Sequence, residues 1–200
     1  MLLNTRQSKL KEATVSSHRQ IEHNAFAKAV LQEKAPIEKY VEWLIRFYGF
    51  YYPLENFIQK SNFLSLERIR LKERLKVPLL SRDLVALGQS GADINQYVQC
   101  RDLPRLSDEA SLLGYLYVVE GSSLGGQFIV KKLRQNYDFK GDQGCRFFNS
   151  YGDRTDEMWQ EFCRFLNEYP LDEKQEKAAL QTARDTFEKL NTWLNERREK

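Results

Sequence analysis

The residues with chemistry to offer gather at two places, near position 18 and near position 121. The chain has two histidines, His18 and His23. Five residues apart, they lie roughly 140° from one another around a helix and cannot share a metal as an i, i+4 pair does. His18 adjoins an apolar stripe, with Lys11, Thr14, Ile21, Glu22 and Ala25 on the same side. A lone histidine is ordinarily a surface or hydrogen-bonded side chain. Beside such a stripe, its neutral imidazole is also a ligand for one metal centre.

The second place is Gly121-Ser122-Ser123-Leu124-Gly125-Gly126-Gln127, inside a stretch that otherwise reads as one helix from about 108 to 137. A glycine in a helix interior costs about 1 kcal/mol relative to alanine, so three cost roughly 3 kcal/mol. Three readings follow: the helix is interrupted, two helices pack closely, or the backbone approaches something flat and bulky. No strand precedes the run and no Lys-Ser/Thr pair completes it, so it is not a nucleotide-binding loop. One imidazole opposite a smooth glycine surface is what a five-coordinate heme iron requires. Lys11 and Arg184 add cations suited to carboxylates, though each alone is commonly a solvated charge.

These residues need rigid elements to hold them, and the periodicity is helical throughout. A first helix aligns Leu10, Ala13, Ser17, Ile21 and Ala25. A second opens near Pro36, carries Tyr40, Trp43, Leu44, Phe47 and Tyr51 on one face, and is expected to kink at Pro53. Ser65 suits the cap of a basic third helix with Leu66, Ile69 and Leu75 inward, and a short helix over 82–87 stops at Gly88. Ser107 is expected to cap the long central helix. Another begins at Thr155 or Asp156, with Met158, Phe162 and Phe165 aligned. The last carries Leu180, Ala183, Phe187, Leu190 and Leu194. An all-α fold of some seven to nine helices, in one domain over 1–200, is the expectation.

Composition narrows the class. With 42% apolar and 30% charged residues the 200-residue chain is ordinary for a globular domain. A net charge of +3 falls short of a nucleic-acid binder's, and no apolar run approaches the ~18 residues that span a bilayer. Cys100, Cys145 and Cys163 make no zinc spacing and read as free thiols. The first eleven residues lack a secretory pattern. A cytoplasmic monomer without nucleic-acid or membrane partners is expected.

Leu10-Lys11-Glu12-Ala13-Thr14, followed by His18 and Glu22, resembles the proximal-helix signature of the heme oxygenase family. Tyr117-Val118-Val119-Glu120-Gly121-Ser122-Ser123-Leu124-Gly125-Gly126-Gln127 is similar to the kinked distal helix of its bacterial members. Phe147-Phe148, Tyr151-Gly152, Thr155 and Met158-Trp159 resemble the branch that serves bacterial phytochromes. The likeness runs from about 8 to 195. It implies a helical bundle that sandwiches heme b, which is cofactor and substrate together. Oxygen and electrons open the ring to biliverdin, carbon monoxide and iron. By the same resemblance His18 is the axial iron ligand. Gly121, Ser122, Gly125 and Gly126 form the distal surface where oxygen is activated, and Lys11, Tyr117 and Arg184 meet the propionates. Electrons would come from a ferredoxin or flavoprotein reductase, and a photoreceptor could accept the bilin. Ser122 stands where animal-type members have an aspartate, which leaves a non-catalytic heme sensor or carrier as the alternative.

Overall fold

The computed structural model describes residues 5–63 and 65–196, with the side chains of Ser65 and Leu66 outside the description. The expected cap at Ser65 and the inward Leu66 therefore lie outside the described side chains. Helices follow in the order α1 (Arg6–Glu22), α2 (Ala25–Val30), α3 (Ile37–Lys60), α4 (Ser65–Arg68), α5 (Leu71–Arg74) and α6 (Val77–Ala86). After them come α7 (Gly91–Ile94), α8 (Glu109–Asn136), α9 (Arg146–Asn149), α10 (Thr155–Glu168) and α11 (Glu173–Asn195). Among the described residues there is no strand. The expectation of an all-α fold holds, with two one-turn helices, α7 and α9, beyond those the periodicity predicts.

The framework is α8 packed along α11, with α1 laid against α11 and α3 against α6. Side chains from Leu10 to Leu194 join in one hydrophobic cluster. The aromatic face of α3 is buried as its spacing predicts, from Tyr40 through Tyr51. Ala183, Phe187, Leu190 and Leu194 of α11 are buried likewise, while Leu180 is half-buried. Ties across the bundle are polar. Arg46, buried beneath Phe26, donates to the Leu194 carbonyl at 2.8 Å, and Trp193 donates back to the Arg46 carbonyl at 2.7 Å.

Several expectations need correction. Ala25 does not continue the first helix. Asn24 caps a new one, its side chain accepting from Ala27 N, so the inward face of α1 is Leu10, Thr14 and Ser17. Asp108, not Ser107, caps α8, in a reciprocal capping box with Ser111. The glycine-rich run does not interrupt α8, which stays helical for 28 residues. Pro53, where a kink is expected, lies inside α3, which runs on to Lys60. The expected helix over 82–87 starts earlier, at Val77, with Pro78 in its first turn. The basic helix after Ser65 is two pieces, divided where Arg70 takes a left-handed φ of 52°.

Candidate active site

A cavity of about 950 Å³ lies between α1 and α8, near the upper end of the roughly 300–1,000 Å³ of small-molecule sites. His18, Lys11, Thr14 and Glu22 of α1 line it. Tyr117, Gly121, Ser122, Gly125 and Gly126 of α8 line it too. Trp43, Phe47 and Tyr51 of α3, Phe147 and Phe148 of α9, Trp159 of α10 and Phe187 of α11 supply aromatic walls. The mouth carries exposed apolar side chains, Val15, Leu124 and Phe128.

His18 and His23 part company here. The His18 ring meets Phe187 edge-on at 5.5 Å, and its Nδ1 lies 3.5 Å from Glu22 Oε1. That carboxylate stands on the Nδ1 side of the ring, away from Nε2. His23 ends α1, its Nδ1 against the Arg19 carbonyl at 2.8 Å, and does not line the cavity.

The three glycines differ in what surrounds them. A Cβ at Gly125 would meet nothing within 4 Å, whereas one at Gly121 would touch Trp159 at 3.6 Å. A Cβ at Gly126 would fall 2.0 Å from the Phe148 carbonyl oxygen, so that glycine admits the close approach of α9. Close packing and open backbone, alternatives in the sequence, are both present on adjacent residues. Ser122 donates to the Val119 carbonyl at 2.7 Å, and the Tyr51 phenol, which burial pushes up, lines the same cavity.

Of the expected propionate residues, Lys11 and Tyr117 line the cavity. Tyr117 stacks obliquely on Trp159 at 5.7 Å, and burial pushes its phenol up to about 12. Arg184 does not line it. Its exposed guanidinium donates from Nε to the Ala13 carbonyl at 2.9 Å, tying α11 to α1.

Sequence reasoning missed a buried ionic cluster behind Gly121. Glu120, fully buried, pairs with Arg74 and accepts from the Tyr151 hydroxyl at 2.7 Å. Lys76, also buried, lines the cavity and donates to Ser150 Oγ at 3.0 Å and Tyr151 Oη at 3.1 Å. A signal existed, because Glu120 ends the otherwise uncharged run Ala110–Val119. Asp83 was missed as well. Buried, it accepts from the backbone of Arg146 at 3.0 Å and Phe147 at 2.8 Å, which holds the α9 aromatic wall in place.

Comparisons with known proteins bear on the fold and the family. The heme oxygenase family model matches residues 5–196. The chain is 26% identical to heme oxygenase PigA of Pseudomonas aeruginosa, covering 96% of this chain and 92% of that protein. A shorter match, 44% identical over 62 residues, joins it to a heme oxygenase of Xanthomonas campestris and spans 31% of this chain and 33% of that one. Among solved structures, the Neisseria meningitidis heme oxygenase superposes with a TM-score of 0.78 at 24% identity, over 96% and 90% of the two chains. The heme complex of the Synechocystis enzyme does so with a TM-score of 0.74 at 21% identity, over 96% and 91%. The chain therefore belongs to the heme oxygenase family, a family of heme-degrading enzymes.

Proposed function

We propose that this protein opens heme b to biliverdin with release of carbon monoxide and iron, acting as a cytoplasmic monomer. A ferredoxin or flavoprotein reductase supplies the electrons, since the sequence carries no flavin or nicotinamide motif. A bilin-binding photoreceptor is the proposed acceptor of the product. The observation that carries the reading is one cavity in which His18 of α1 and the open backbone of Gly125 meet among aromatic walls. Apolar lining, a single imidazole on the cavity wall and a helix stretch without side-chain bulk fit a flat macrocycle with a central metal. Bound heme supplies the iron at which oxygen is activated and is also the ring that is opened.

The chain's own residues bind and orient. His18 Nε2 holds the iron, with Glu22 fixing the ring. Lys11 and Tyr117 anchor carboxylates at one edge, and Arg184 contributes from α11 if its guanidinium leaves the Ala13 carbonyl. Gly121 and Gly125 let the α8 backbone approach, and Gly126 seats α8 on α9 beneath them. Ser122 and Tyr51 place two hydroxyls beside that surface, where they hold water and relay a proton. The aromatic walls exclude bulk water.

Aerobic incubation of the heme complex with a reductase tests the reading. Loss of the Soret band with growth of bilin absorption is the expected result. A heme complex that stays intact under reduction would favour the sensor or carrier, the reading that Ser122 keeps open.

A further inference from the structure

The cavity holds a cation that the roles above leave unused. Lys76 is 3% exposed, lines the cavity, and stands where α5 gives way to α6. An ammonium has three hydrogens to donate. Ser150 and Tyr151 take two, and Glu120 Oε1, at 3.8 Å, is an ionic neighbour too distant for a hydrogen bond. Among the described residues, the ammonium's third hydrogen has no acceptor within hydrogen-bond distance. Burial presses the ammonium below its ordinary range, while Glu120 and Glu55 oppose that shift. The cluster is rigid: Lys76 N donates to Glu55 at 2.5 Å, and the ammonium lies 4.3 Å from the centre of the Tyr151 ring. Glu120 offsets the charge from the protein side, and the remaining hydrogen is placed to meet an acceptor in the cavity that Lys76 lines.

We propose that Lys76 is a positioning residue on the Ser122 side of the cavity, donating its third hydrogen to an anionic group bound at the metal of the ligand. The proposal rests on the heme reading above. The shared surroundings carry it: Lys76, Ser150, Tyr51 and Ser122 line the same cavity, and Glu120, which pairs with the Lys76 cluster, directly precedes Gly121. His18 belongs to a different element, α1, so the iron ligand and the ammonium do not compete.

Fluoride binding to the ferric heme complex tests this without turnover. A charge-assisted donor lost from a sheltered site should weaken fluoride by about tenfold in Lys76→Met. Heme affinity and carbon monoxide binding to the ferrous complex should change little. Lys76→Met should fold, because Glu120 keeps Arg74 and Tyr151 as partners. Should it not fold, Lys76→Gln decides, because its amide keeps a donor for Ser150 or Tyr151 but carries no ammonium, so fluoride affinity should still fall by about tenfold. A loss smaller than about fivefold in the folded variant overturns the proposal. So does an equal loss for carbon monoxide, which would mark a structural role, or a fall in heme affinity, which would place Lys76 on a propionate. A parent chain that binds no heme overturns the heme reading and this proposal together, whereas fluoride insensitivity with heme bound removes Lys76 alone.

Discussion

Adjacent glycines with opposite surroundings make the sharpest prediction. A side chain at Gly125 meets open cavity, and leucine is nearly as good a helix former as alanine. Gly125→Leu should therefore stabilise the heme-free protein by about 1 kcal/mol, raising its melting temperature by roughly 2–4 °C for a chain of this size. At Gly126 the new methyl lies 2.0 Å from a backbone oxygen, so α9 has to move. Overpacking costs about 1–3 kcal/mol, and contact with a backbone oxygen puts Gly126→Ala at the upper end. After a gain of about 1 kcal/mol in helix propensity, the net loss is about 2 kcal/mol, or roughly 4–8 °C. Heme affinity should invert the order. Gly125→Leu fills volume the macrocycle needs and should lose at least about tenfold, near 1.4 kcal/mol. Thermal melts by circular dichroism and heme titration by Soret absorbance read both quantities. Near-native heme affinity in Gly125→Leu, or a Gly126→Ala chain as stable as the parent, refutes the reasoning.

Three further outcomes follow. Lys11→Ala should weaken heme binding by about tenfold or less, since most affinity comes from apolar burial and the iron ligand. It should redistribute the bilin isomers on chromatography more visibly, and Arg184→Ala, outside the cavity lining, should do so less. An unchanged pattern in the double variant with heme still bound would remove both from the site. Burial raises the Glu55 carboxyl from 4.5 to about 7, so the folded chain binds an extra proton between those values. Its contribution to stability is full below pH 4.5 and is lost as pH rises towards 7, a slope that melting curves of Glu55→Gln should lack. Asp83→Ala removes the acceptor for two backbone donors of α9 and should lower both melting temperature and heme affinity. Unchanged heme affinity would mean that Phe147 and Phe148 hold their places without it.

What was legible in the sequence is what local periodicity carries. The α3 aromatic face and the α11 stripe need only a helical repeat and one apolar side, and both are buried as read except for the half-buried Leu180. His18 and the glycine run stood out because their types are rare or costly in their settings. The division of labour between Gly125 and Gly126 was not legible. Neighbours on a helix point about 100° apart, and which one meets α9 depends on how α8 is rotated in the bundle. The Arg74–Glu120 and Lys76–Tyr151 pairs join residues 46 and 75 positions apart, and in sequence those lysines and arginines resemble solvated surface charge. Arg184 shows the converse, an α11 cation adjoining the apolar stripe whose position in the bundle is against the α1 backbone.

The central claim is that a heme iron binds His18 in the cavity between α1 and α8. Resonance Raman spectroscopy of the reduced heme complex reads that bond through its iron–histidine stretch, in the parent and in His18→Ala and His23→Ala. The account predicts the band in the parent and in His23→Ala, and its disappearance in His18→Ala with recovery on adding imidazole. Loss of the band in His23→Ala, with His18→Ala unchanged, would contradict it.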